Sequence, residues 1–336
     1  MIIIHFIKPF QFYGLTKGGY DSMLVSLIIP CYNEEEVLPI LYEALCGVRD
    51  SMRDSDKEFE FIFISDGSRD KTQDIIKGFA ENDPAVRYVF FSRNFGKEAA
   101  MYAGMQKAKG EYIAILDADM QDPPALIPSM IADLDAGECD IVAARRVTRQ
   151  GEPPIRSFFA RCFYKLINSM IDVEIADGAR DFRLMRRQVV DAILLLSERQ
   201  RFSKGIFAWV GFRTKWIEHE NVERAAGETK WSFWKLFRYA IDGIVAFTTA
   251  PLRLATYAGM FFSIAGFLYL IYYFIKAIIE KIWIDVAGYP SLLCFILFIG
   301  GLVLMALGII GEYIGRTYIE SKGRPIYIPM EESEDK

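Results

Sequence analysis

Histidine is nearly missing from this chain of 336 residues: only His5 and His219 occur, too few and too far apart to make a metal site by themselves. Cysteine is scarce as well. The five present, Cys31, Cys46, Cys139, Cys162 and Cys294, are odd in number and widely scattered, and they lack the paired spacing of a zinc site. A reduced, cytosolic setting for most of the chain is the simplest reading. Basic charge is not in excess either. A formal net charge of -5 argues against general affinity for nucleic acid, which needs a basic face to displace counterions. At the N-terminus, "MIIIHFIKPFQFYGLTKGGYDS" starts apolar, but His5, Lys8 and Pro9 break the run before it could span a bilayer. With no small-residue cleavage site, residues 1–22 read as an extension before a core that begins near Met23.

What the chain does have is apolar residues, 52% of the total, and two long uncharged runs. Leu254 to Ile275 and Pro290 to Gly311 carry no charge, and each matches the length that crosses a ~30 Å hydrocarbon layer. Together they predict a transmembrane hairpin within 251–315, with spans at about 254–279 and 290–311. Arg253 precedes the pair and Arg316, Lys322 and Arg324 follow it, whereas Lys276 and Lys281 are nearly all the connecting loop offers. By the positive-inside rule, the large N-terminal part and both hairpin ends, including the tail 316–336, face the cytoplasm. Two amphipathic helices, 155–171 and 231–250, are expected to lie at the inner leaflet, with apolar stripes backed by Arg156, Arg161 and Lys165 in the first and by Lys235 and Arg238 in the second. Gly300, Gly301, Gly308 and Gly311 permit close helix contact, so assembly of copies through the hairpin is a further expectation.

From Leu24 onward, short β-rich runs alternate with helical patterns. "LVSLIIP", "FEFIFIS", "VRYVFFS", "YIAILDAD" and "DIVAA" read as strands, separated by helices starting after Glu34, at Thr72, at Glu98 and at Ala125. That alternation predicts an α/β domain with a mostly parallel sheet and helices on both faces. Ligands bind such sheets at the carboxyl ends of the strands, where Asp66, Asp117 and Asp119 all fall.

The densest charge lies in "DADMQDPP", directly after a strand. Clustered aspartates repel one another unless a cation sits among them, and a hard divalent ion on few carboxylates keeps positions open for phosphate oxygens. The segment therefore predicts a Mg2+ or Mn2+ site that holds a diphosphate, with an ordinary acidic loop as the plain alternative.

The ordered set "SLIIPCYNEEE", "SDGSRDKT", "SRNFGKEAA", "DADMQDPP" and "DFRLMRR", followed by the hairpin, resembles the family 2 glycosyltransferases with the GT-A fold. Within them it is most similar to the polyprenyl-phosphate glycosyltransferases, the group that includes dolichyl-phosphate mannose synthases. The resemblance runs from Met23 through "GEYIGRTYIESKGRPIY" and implies a GT-A catalytic domain over 23–230. It further implies that Pro30, Tyr32, Glu34 and Asp66 hold the base and ribose of a nucleotide sugar, with a UDP-sugar expected because uracil is the base these positions match. Where family members commonly have two acids before the glycine of "DGS", Ser65 stands first here. Asp117 matches a carboxylate beside nucleotide and metal, Asp119 and Gln121 match metal ligands, and Asp181 matches a carboxylate implicated in catalysis. Arg145 and Arg156 are similar in position to arginines that bind the acceptor phosphate. Arg224, Gly227, Thr229 and Lys230 match a loop that closes over the donor diphosphate.

The implied activity is transfer of a sugar from a nucleotide sugar to undecaprenyl or dolichyl phosphate at the membrane, with inversion at the anomeric carbon. A processive polysaccharide synthase is the competing enzyme reading, disfavoured because "ERQRFSKGIFAWVG" has no Q-x-x-R-W match and only one hairpin follows. A non-catalytic nucleotide-sugar or lipid binder is the third reading, and it leaves Asp117, Asp119 and Asp181 together without a purpose.

Overall fold

Strand β1 (Met23–Cys31) shows why the sheet is buried on both sides. Val25, Leu27 and Ile29 point into one apolar cluster, with Leu38, Leu41 and Leu45, while Ile28 points into a second, with Ile62, Ile113 and Ala100. A strand that is apolar in both registers must be covered on both faces. The computed structural model describes residues 22–146, 178–219, 248–280 and 289–333, with the single positions 168, 176 and 245.

The elements follow as α1 (Leu38–Ser51), β2 (Lys57–Ser65), α2 (Thr72–Asn82), β3 (Val86–Phe91), α3 (Lys97–Lys107), β4 (Tyr112–Ile115) and, after a 3-10 turn at Pro124–Leu126, α4 (Ile127–Asp135). Next come β5 (Ile141–Arg146), β6 (Ala179–Arg186), α5 (Arg187–Leu195), α6 (Ser203–Trp209), β7 (Thr214–His219), α7 (Ala250–Glu280), α8 (Tyr289–Ser321) and β8 (Pro329–Glu332). Helix α1 starts later than the acidic run. Its Pro39 sits in the first turn, where a missing N–H costs nothing, and Glu34 to Glu36 stay in the loop before it. The buried residues of α1, Leu38, Leu41, Leu45 and Val48, recur at one-face spacing.

The eight strands form one sheet in the order β7-β5-β6-β4-β1-β2-β3-β8. Pairings β1–β2, β1–β4, β2–β3 and β5–β7 are parallel, and β3–β8, β4–β6 and β5–β6 are antiparallel. The sheet is therefore more mixed than the alternating pattern predicts, because β6 runs backwards through its middle and β8 closes an edge.

Helix α3 lies unusually close to β1. A Cβ on Gly104 would come 2.1 Å from Ile28 Cγ2, and Ala99, Ala100 and Ala103 keep the rest of the contact thin. This closeness fixes where the first residue of α3, Lys97, meets the sheet edge.

Helices α7 and α8 have 31 and 33 residues, roughly 46 and 50 Å at ~1.5 Å per residue. Both exceed the predicted spans, and each contains an apolar stretch of membrane-crossing length whose side chains are not buried inside the protein. They fit a hairpin, joined at one end by Tyr313 Oη donating to the Thr248 carbonyl at 2.6 Å. A Cβ on Gly300, Gly301, Gly308 or Gly311 would meet nothing within 4 Å, so packing within the single chain does not require those glycines. The expected helices 155–171 and 231–250 lie outside the described residues, apart from positions 168, 245 and 248–250.

Beyond α8 the chain returns to the sheet. Strand β8 pairs with β3, Ser92 N–H donates to the Ile328 carbonyl at 3.0 Å, and Tyr327 stacks on Phe91 with ring centres 4.8 Å apart. Ion pairs Lys77–Glu331 (2.8 Å) and Lys107–Glu332 (2.6 Å) flank the strand. The tail 316–336 is thus partly helix and partly an edge strand, which covers backbone groups that β3 would otherwise expose.

Candidate active site

The carboxyl ends of β1, β2, β4 and β5 share one sheet edge with the amino end of antiparallel β6. Register does the assembling. Ile115 of β4 pairs with Arg183 of β6, so two steps further on Asp117 falls opposite Asp181, although 64 positions (181 minus 117) separate them in the chain. Two half-buried acids facing each other need a cation, and Lys97 supplies it. Its Nζ lies 2.7 Å from Asp117 Oδ1 and 2.9 Å from Oδ2, and it also donates to Asp181 Oδ2.

The titration behaviour follows from this triad. Burial opposes the charge on Lys97, yet Asp117 and Asp181 hold its ammonium above the ordinary lysine range. Burial likewise works against ionised Asp181, but Lys97 and then Lys204 hold its carboxyl well below the usual carboxylate range. Asp117 is pushed up, chiefly by burial. Neighbouring Glu98 is also pushed up by burial; it accepts from the backbone N–H and the hydroxyl of Ser203.

Lys97 is placed by the loop before α3, and that loop is held by Asp66. Phe95 N–H donates to Asp66 Oδ1 at 2.6 Å and Gly96 N–H to Oδ2 at 2.9 Å. Asp66 is 4% exposed, and desolvation pushes its carboxyl up despite those bonds. Both of its oxygens are engaged by backbone, so in this structure Asp66 braces a loop at the site. Gly67 makes the approach feasible: at φ +66, its absent Cβ would lie 2.4 Å from the Arg93 carbonyl carbon.

The "DADMQD" turn is tight, with Met120 at φ 59, a left-handed conformation uncommon for a side-chain-bearing residue. Asp119 Oδ1 accepts from the Gln121 N–H at 3.2 Å. Arg180, at the start of β6, locks the far side of the turn: its Nε reaches the two oxygens of buried Asp122 at 3.0 and 3.2 Å, and its Nη2 donates to Gln121 Oε1 at 3.2 Å.

Pro30 is the last residue but one of β1, and Tyr32 and Glu34 occupy the loop after it, Tyr32 being 36% exposed. That loop is stitched to the one after β2, through Asn33 N–H to Ser68 Oγ (3.1 Å) and Glu34 N–H to Thr72 Oγ1 (2.9 Å). Arg145 lies near the carboxyl end of β5, on the same edge. The edge thus brings together Pro30, Tyr32, Glu34, Asp66, Asp117, Asp119, Gln121, Arg145 and Asp181. Arg156, Arg224 and Lys230 lie outside the described residues.

Three residues at the site escape sequence reasoning: Lys97, Arg180 and Asp122. Lys97 stands inside the quoted "SRNFGKEAA", and a lysine opening a helix directly after a strand and a glycine turn was the available signal. Asp122 stands among the clustered aspartates of "DADMQDPP", but Arg180 carried no signal, and only the fold reveals their pairing.

Residues 26–194 match the domain described as glycosyl transferase family 2, and residues 250–317 match the GtrB C-terminal hairpin. The chain belongs to glycosyl transferase family 2. Members of the family similar to it along most of their length include the putative glycosyltransferase CsbB of Bacillus subtilis, 44% identical, with 92% of each chain covered. The prophage bactoprenol glucosyl transferase homolog of Escherichia coli is 44% identical over 91% of this chain and 98% of its own. The bactoprenol glucosyl transferase of Shigella phage SfV is 44% identical over 93% of this chain and 100% of its own. Among solved structures, glucosyl-3-phosphoglycerate synthase from Mycobacterium tuberculosis with Mn2+, UDP-glucose and phosphoglyceric acid overlaps at a TM-score of 0.43 and 18% identity. That overlap covers 70% of this chain and 83% of the other, a likeness too loose to carry residue roles. The mixed α/β domain is accordingly the GT-A fold of the family, with the hairpin appended.

Proposed function

We propose that this glycosyltransferase moves a sugar from a nucleoside-diphosphate sugar, a UDP-sugar in the first instance, to a polyprenyl phosphate, undecaprenyl or dolichyl, held in the membrane. The observation that carries the reading is the convergence of Asp117, Asp119 and Asp181 on one sheet edge, in a chain that continues into two apolar helices of membrane-crossing length. The full-length similarity to bactoprenol glucosyl transferases supports the lipid-phosphate acceptor. The charge pattern around the hairpin supports a cytoplasmic face for the catalytic domain and both termini.

The donor atoms fit a hard divalent ion, Mg2+ or Mn2+. The carboxylates of Asp117 and Asp119 and the amide oxygen of Gln121 are hard oxygen donors, with Lys97 on Asp117 and Arg180 on Gln121 as present partners. So few protein ligands suit an ion whose shell is completed by phosphate oxygens. When bound, such an ion offsets the negative charge that builds on the departing nucleoside diphosphate.

The chain's own residues do the rest. Pro30, Tyr32, Glu34 and Asp66 frame the nucleoside, and Arg224 and Lys230 cover the diphosphate. Arg145 and Arg156 present planar forks of donors to the acceptor phosphate and align it for a single displacement. That displacement inverts the anomeric centre. Asp181 is a poor proton acceptor while Lys97 and Lys204 depress its pKa, and a phosphate monoester near neutral pH is already ionised enough to attack. Asp181 therefore acts as an anionic anchor for donor sugar or cation.

The test incubates the detergent-solubilised chain with labelled nucleotide sugars, Mg2+ and polyprenyl phosphate, and follows label into the organic phase. Transfer of one sugar with inverted configuration, abolished by chelator and by Asp119→Asn, is the expected result. Water-soluble labelled polymer, or full activity of Asp119→Asn, overturns the reading.

A further inference from the structure

Asp117 is the carboxylate that register sets opposite Asp181, and both of its oxygens already lie within hydrogen-bond distance of one ammonium, that of Lys97. The same ammonium donates to Asp181, so a single positive charge spans the two acids across the β4–β6 seam. Lys97 cannot easily drift from this position. It is the first residue of α3, whose fit against β1 has no room for a Cβ at Gly104, and its loop is pinned by two backbone bonds to Asp66.

A free divalent ion arriving at this edge meets a carboxylate whose two oxygens already face an ammonium, and that resident cation repels it. A nucleoside diphosphate changes that balance. Its phosphates offer the ammonium a second anionic partner and the metal its missing oxygens. Building on the nucleotide and metal reading above, we infer that Lys97 is a positioning residue that keeps divalent metal off Asp117 until a nucleoside diphosphate draws the ammonium away. Metal and nucleotide then bind as a coupled pair, each raising the affinity for the other by the same factor.

The experiment titrates Mn2+ into the full-length chain in detergent, following free Mn2+ by electron paramagnetic resonance, with and without UDP. Lys97→Met and Lys97→Gln remove the charge, the second keeping hydrogen-bond donors for the carboxylates should the first fail to fold; Lys97→Arg keeps the charge. Without UDP, the neutral variants should bind Mn2+ at least about tenfold more tightly than the wild type, and the arginine variant no more tightly. The factor by which UDP strengthens Mn2+ binding should shrink at least about tenfold in the neutral variants. Unchanged or weaker Mn2+ binding in both neutral variants overturns the inference, as does an equal gain in Lys97→Arg. Absence of Mn2+ binding in every protein, even with UDP, removes the inference and the metal assignment together. Coupled Mn2+ and UDP binding without any transfer to lipid would sustain it and count only against the proposed acceptor.

Discussion

Replacing Gly67 by alanine should damage the site without touching any charged group. Gly67 holds φ +66, where a side-chain-bearing residue loses roughly 1–2 kcal/mol. Its new Cβ would lie 2.4 Å from the Arg93 carbonyl carbon and 2.6 Å from the Asn94 nitrogen, whereas ordinary contact begins at 3.4 Å. Since both neighbours are backbone, the loop 93–96 has to retreat on the order of 1 Å, enough to open hydrogen bonds of the usual length. The bonds at risk are Phe95 and Gly96 N–H to Asp66, at 2.6 and 2.9 Å, each of a charged kind that contributes roughly 1.5–3 kcal/mol. Losing one or both brings the total to roughly 2.5–8 kcal/mol, against a usual domain stability of about 5–15 kcal/mol. For a domain of this size, thermal unfolding should fall by roughly 5–30 °C. Because the same loop launches Lys97, donor KM should rise as well. Gly78→Ala is the control: it lies inside α2 with nothing within 4 Å of the new Cβ, so it should be neutral or stabilising by up to about 1 kcal/mol. A Gly67→Ala protein that melts within about 2 °C of the wild type, with unchanged donor KM, would refute the argument.

Two further outcomes are expected. Gly104→Ala forces a methyl to within 2.1 Å of Ile28 Cγ2 and should cost about 1–3 kcal/mol by overpacking, measured by thermal unfolding; no loss would mean that α3 can slide on β1. Asp140 is held below the usual carboxylate range, first by its hydrogen bonds from Arg213, so its contribution is present above the unfolded value near ~3.9 and fades as pH falls through the lower folded value. Asp140→Asn should therefore be less stable than the wild type at pH 6, and the gap in melting temperature should narrow below about pH 4; a gap that is constant with pH would contradict this.

The parallel half of the sheet was legible because β1 to β4 and the helices between them carry clear periods, and the position of "DADMQD" after a strand followed from that. The reversed β6 was not, since "DFRLMRR" alternates poorly and nothing local marks direction. Its consequence, Asp117 opposite Asp181, is a matter of register and leaves no trace in either segment alone. Asp66 shows a second task that a strand-end acid does not announce: two backbone amides reach it, because Gly67 lets a distant loop come close. Strand β8 was hidden by its shortness and by the many charges of "PMEESEDK", which resemble a solvated tail until Lys77 and Lys107 are seen to meet them.

That returning strand also determines how the catalytic body is hung. The chain leaves the sheet toward the apolar helices from β7, at one margin, and comes back as β8 at the other, seven strand spacings or roughly 34 Å away. A sheet joined to the helix pair through both of its margins has fewer orientations open to it than one joined at a single margin.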